Sequence, residues 1–90
     1  MKIFFKPSFI KDFKKIPVSI KREIRNICLV DFPALKNVYD FKEYPVKPIK
    51  GFKYYYRIRI GNYRLGFKKE GSEVIFMRIK HRKDIYTYFP

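Results

Sequence analysis

Apolar positions along this 90-residue chain follow two different periods, and the change of period divides it. In the first third they recur at helical spacing. Ile3-Phe4-Phe5, between Lys2 and Lys6, makes a short strand. Pro7-Ser8 then opens a helix whose Phe9, Ile10, Phe13 and Ile16 form one core-facing stripe. Pro17 breaks it. A second helix runs from Val18 to Leu29 or a little beyond, burying Ile20, Ile24, Ile27 and Cys28 and turning Lys21, Arg22, Glu23 and Arg25 to water. So short a break predicts an antiparallel helix pair. Residues 33–51 follow neither period, and Pro33, Pro45 and Pro48 exclude a long regular element there. Tyr39, Phe41 and Tyr44 are expected to tack this connection onto the core.

From Phe52 the period becomes two. Gly61-Asn62 between Ile60 and Tyr63 signals a two-residue hairpin, because both residues tolerate positive φ. Glu70-Gly71-Ser72 makes a second turn, and Val74 to Lys80 a third strand. Parity sets Tyr56, Ile58, Ile60, Tyr63, Leu65, Phe67, Ile75, Met77 and Ile79 against the helices. Tyr55, Arg57, Arg59, Arg64, Lys68, Arg78, Lys80 and Arg82 then face away, on a surface that helices do not cover. The expected fold is one α+β domain over residues 1–90. An antiparallel sheet, formed by the N-terminal strand and a three-strand C-terminal meander, carries a two-helix hairpin on one face.

Composition sharpens this picture. Ten Phe and eight Tyr, with no Trp, imply an aromatic core. The single cysteine, Cys28, excludes an internal disulfide and a multi-cysteine metal site, which fits a reducing compartment. No apolar run reaches membrane-spanning length, so a cytoplasmic chain without membrane contact is expected. The net charge of +14 calls for a polyanionic partner, nucleic acid or acidic protein. Charge alone does not localise the site, but residue type does: five of the seven arginines fall within residues 52–90, against five of the fifteen lysines.

Arginine suits bidentate phosphate contacts, and tyrosine can stack on an unpaired base, so the basic face suits single-stranded RNA better than duplex DNA. Arg57, Arg59, Arg64 and Arg82 are the candidates for phosphate. Tyr55, Lys68, Arg78, Lys80 and Lys83 are candidates for wider RNA contact. The plain alternative is an ordinary solvated sheet face. Catalytic options are few, since no paired carboxylates or metal-ligand cluster occurs and His81 is the only histidine. Phosphodiester cleavage by an adjacent 2′-hydroxyl, without metal or cofactor, remains open.

Tyr56-Arg57-Ile58-Arg59-Ile60-Gly61-Asn62-Tyr63-Arg64, preceded by Ile49-Lys50-Gly51 and closed by His81-Arg82 and Ile85-Tyr86, resembles the RelE/ParE toxin superfamily of type II toxin–antitoxin systems. The likeness is closest to the RelE branch and implies a RelE-like fold. It further implies a translation-inhibiting endoribonuclease that cuts mRNA in the ribosomal A site without a metal, and a small antitoxin that wraps the toxin. In this resemblance Arg57 and Arg59 match two basic residues of the strand before the hairpin. Arg64 matches an arginine on the scissile phosphate, Arg82 a second phosphate-stabilising arginine, and Tyr86 a tyrosine that stacks on or orients a base. The RelE pattern has lysine where this chain has Arg57 and Arg59, and arginine is a poor general base. His81 is then the candidate for proton transfer, with a structural histidine as the other reading. The expected partners are the ribosome, mRNA and a cognate antitoxin bearing an acidic or amphipathic segment. Two rival functions stay open: a ParE-like inhibitor of gyrase, and a non-catalytic RNA- or protein-binding module.

Overall fold

The computed structural model describes all 90 residues. Strand β1 (Lys2–Phe5) leads through Pro7, at the first helical position, into α1 (Pro7–Lys14). Pro17 separates α1 from α2 (Val18–Asn26). The helix then widens into a π-helical turn over Ile27–Asp31 and ends in α3 (Phe32–Ala34). Pro33, expected to lie outside the helix, sits within this last turn. Proline cannot donate to the carbonyl four residues back and collides with it, and the widened turn just before it makes room.

Val38–Asp40 form a 3-10 turn whose Tyr39 N–H donates to Asn37 Oδ1 at 2.9 Å. Four further strands follow: β2 (Val46–Pro48), β3 (Tyr55–Ile60), β4 (Tyr63–Glu70) and β5 (Glu73–His81). A short helix, α4 (Ile85–Tyr88), closes the chain. The five strands form one sheet in the order β1-β5-β4-β3-β2. The α+β expectation holds, with two additions. β2 arises inside the stretch that shows no period, as a proline-bearing edge strand paired with β3. β1 joins β5 in parallel, whereas the other three pairings are antiparallel.

Phe32 holds the centre of the core, with Phe41, Phe67 and Phe76 at ring-centroid distances of 5.4, 5.3 and 5.4 Å. Ile24, Ile27, Ile58, Leu65 and Ile79 complete it. Ile10, expected in the stripe, is exposed. Parity also fails in the first half of β5, where Val74 and Phe76 enter the core in place of Ile75 and Met77. The register explains this: Gly66 faces Arg78 but Phe67 faces Phe76, so Met77 is an extra residue at a bulge. Past the bulge, Ile79, Arg78 and Lys80 fall where alternation puts them.

Beyond the end of β1, α1 takes over the free edge of β5. Ser8 Oγ donates to Met77 O at 2.8 Å, and the Ile79 N–H donates to Asp12 Oδ2 at 3.1 Å. Asp12 is the one buried charged residue, and its carboxylate occupies a position that another strand would otherwise fill.

Candidate nucleic-acid interface

The sheet face opposite α1 and α2 carries the arginines, but it is not bare. α4 folds across it, with Ile85 and Phe89 buried. This corrects the expectation of a surface free of helices. The seat for the C-terminal segment is Gly66, where a Cβ would come within 2.7 Å of the Phe89 ring. Phe89 in turn meets Tyr55 edge to face at 5.8 Å. A lone glycine inside an alternating strand marks such a close approach, a signal present in the sequence that parity alone passes over.

Strand register brings the arginines together. Arg59 is directly opposite Arg64, and Arg57 is opposite Gly66. The hairpin turn needs Gly61 at φ +57°. Arg64 curls back over that turn, with Nη1 donating to Gly61 O at 2.9 Å and Tyr63 O at 3.0 Å. Two carbonyls thus fix the guanidinium before any ligand arrives. The Arg82 N–H donates to Asn62 O at 2.7 Å, which ties the end of β5 to the same turn. Partial burial holds Arg64 below the ordinary guanidinium range, and the charges of Arg57, Arg59 and Arg82 push it further in that direction. Tyr86, on α4, opposes the shift. None of these four arginines is paired with a carboxylate. They form a concentrated positive field.

Beside them lies a depression of about 540 Å³, lined by Arg57 and Tyr86 together with Lys50, Phe52, Phe89 and Pro90. Tyr86 is 59% exposed and available to a ligand.

Three other cations of this face are engaged. Arg78 binds Asp12 through Nε at 2.9 Å and Nη2 at 3.2 Å, and Lys80 Nζ reaches the same carboxylate at 3.2 Å. Both also lie over the Tyr88 ring, at 4.9 and 4.5 Å from its centroid. Lys68 pairs with Glu70 at 2.7 Å and covers the Tyr55 ring. The hydrogen bond to Glu70 raises the Lys68 pKa. Lys83 is exposed. Sequence reasoning missed the part Asp12 plays in neutralising this face, although its signal was legible: it is the only carboxylate on the apolar stripe of Phe9, Phe13 and Ile16.

His81 stands apart. It pairs with Tyr63 across the strands, on the face opposite Arg59 and Arg64, and its ring meets Tyr63 edge to face at 5.7 Å. Nδ1 accepts from the Lys83 N–H at 3.2 Å, so the histidine shapes the turn into α4. Burial pushes the Cys28 thiol up, which keeps it protonated and unreactive.

Comparison with known proteins agrees with this fold. Residues 3–86 match the family model described as the ParE toxin of type II toxin–antitoxin system, parDE. Over 90 residues the chain is 43% identical to Toxin RelE3 of Methanocaldococcus jannaschii, covering 100% of both chains. The RelB–RelE antitoxin–toxin complex from Methanococcus jannaschii contains a chain of the same fold. It matches with a TM-score of 0.80 and 40% identity, over 97% of this chain and 99% of that one. The isolated E. coli RelE toxin shares the fold at a TM-score of 0.66 and 12% identity, over 89% of this chain and 82% of its own. The chain belongs to the RelE/ParE superfamily of type II toxin–antitoxin toxins, and its fold is RelE-like.

Proposed function

We propose that this toxin is an endoribonuclease that cleaves mRNA on the ribosome in the cytoplasm, and that its RNA-binding face is the arginine cluster. One observation carries the reading: Arg57, Arg59 and Arg82 crowd around a pre-oriented Arg64 with no carboxylate to neutralise them. Such a cluster is disfavoured in the free protein and is relieved by a phosphate, most of all by one gaining charge in a transition state. In the proposed step the 2′-oxygen bonds to the adjacent phosphorus and loses its proton. The 5′-oxygen of the next nucleotide leaves and gains one. The products are a 2′,3′-cyclic phosphate and a 5′-hydroxyl. Arg64 and Arg82 stabilise the pentacoordinate phosphorus, Arg57 and Arg59 hold the strand, and Tyr86 stacks on a base. His81 is assigned to the turn and not to proton transfer, because it lies on the other face of the sheet.

The antitoxin of this reading is a small protein with an acidic segment, consistent with the net charge of +14 and with the M. jannaschii relative having been solved in complex with RelB. Induced expression tests the function. The expected result is growth arrest with fragmented mRNA, lifted by Arg64→Ala and by co-expression of a neighbouring acidic small protein. The matching family model, described as ParE, favours a second reading in which the protein inhibits gyrase. Arrest with intact mRNA and loss of plasmid supercoiling selects it.

A further inference from the structure

We infer that Phe52 and Tyr86 form the two walls of a slot for an unpaired nucleobase next to the cleaved phosphate, and that Phe52 is a specificity-determining residue. The inference rests on the nuclease reading and names the nucleotide that the site grips. Both side chains line the depression of about 540 Å³, and Lys50 and Arg57 border it. Phe52 is 54% exposed, the most exposed phenylalanine of the chain, and Tyr86 is the most exposed tyrosine.

Its position is fixed from both sides. The loop carrying it is closed by the Ile49 N–H donating to Tyr55 O at 2.9 Å and the Phe52 N–H to Ile49 O at 3.2 Å. Tyr54, at φ +74°, adopts a backbone that non-glycine residues rarely take, while its carbonyl accepts from the Lys69 N–H at 2.8 Å. Phe52 meets Tyr55 edge to face at 6.4 Å, Tyr55 meets Phe89 at 5.8 Å, and Phe89 rests on Gly66. This aromatic chain ties the Phe52 wall to the segment that presents Tyr86. A cleft of mixed lining, with aromatic side chains beside the cations Lys50 and Arg57, matches a planar ring attached to a phosphate. It joins the arginine cluster through Arg57 and Tyr86, both of which act on Arg64. That continuity favours a nucleotide over an acidic peptide.

The test has two arms, applied to the wild type, Phe52→Ala and Phe52→Tyr after unfolding curves confirm that each folds. In the first, an RNA tetranucleotide with one central 2-aminopurine is titrated. Base stacking predicts quenching by the wild type, at least about a fivefold loss of affinity in Phe52→Ala, and recovery in Phe52→Tyr. In the second, cleavage is measured on ribosomes programmed with different codons. Phe52→Ala should lower kcat/KM and flatten the differences between codons, with Phe52→Tyr restoring them. Quenching and affinity unchanged in Phe52→Ala, with codon preference intact, overturn the slot while leaving the nuclease. Phe52-dependent quenching with no cleavage by any variant supports the slot and rejects the nuclease.

Discussion

The basic face has two halves built from the same kinds of residue and put to opposite uses. Around the hairpin turn, Arg57, Arg59, Arg64 and Arg82 repel one another and have no acidic partner. Along β5, Arg78 and Lys80 share the buried carboxylate of Asp12 and stack on Tyr88. One carboxylate, supplied by α1 from the far side of the sheet edge, separates them. It neutralises the cations that hold the fold together and leaves unneutralised those at the turn. A count of positive charges therefore says little about where an anion binds; the distribution of the few acids says more.

The largest difference between the halves should appear in single-turnover cleavage. Arg64→Ala is expected to lower the rate by about a hundredfold or more with little change in stability, since the proposed step then lacks a donor to its transition state. Arg78→Ala should reduce the rate only a few-fold. Equal losses would erase the distinction.

Asp12 tests the other half through stability. Asp12→Ala strands the Ile79 N–H and leaves Arg78 and Lys80 unpaired. A loss of about 2–4 kcal/mol is expected in urea unfolding. The milder Asp12→Asn should steepen the salt dependence of RNA binding, because it frees two cations for phosphate.

A smaller effect concerns the segment joining the halves. Gly66→Ala drives a methyl into Phe89 and should cost about 1–3 kcal/mol. Adding Phe89→Ala in that background should cost less than it does alone, a coupling that a double-mutant cycle would read. His81→Gln should leave the cleavage rate within a few-fold. Loss of a proton carrier would instead remove about 10²–10⁴.

The smallest effect is on pH-dependent stability away from the site. Tyr44 O–H donates to Glu23, and that bond raises its pKa from 10.0 to about 12. The contribution is complete below pH 10 and fades as pH rises through the folded value. Comparing wild type with Tyr44→Phe between these limits should show a modest extra decline in the wild type alone, because the pair is partly exposed.

Much of the arrangement was legible in residue order. Alternation from Tyr55 to Leu65 assigns the arginines to one face because no irregularity interrupts β3 or the start of β4. It misassigns Ile75 and Met77 because a bulge carries no local mark in the uninterrupted apolar run from Val74 to Met77. β2 escaped notice because Val46–Pro48 is too short for any period to show. The coverage of the basic face by α4 depends on a long-range contact, Phe89 on Gly66, that periodicity within either element cannot reveal. The neutralisation of Arg78 and Lys80 is likewise nonlocal, with Asp12 lying 66 residues from Arg78.

Mapping mRNA 5′ ends in a reconstituted translation reaction decides whether the unpaired arginines form a catalytic RNA site, as proposed. Purified protein should generate new ends within codons only when ribosomes are present, and Arg64→Ala should generate none. Intact mRNA after addition of folded wild-type protein to translating ribosomes would contradict it.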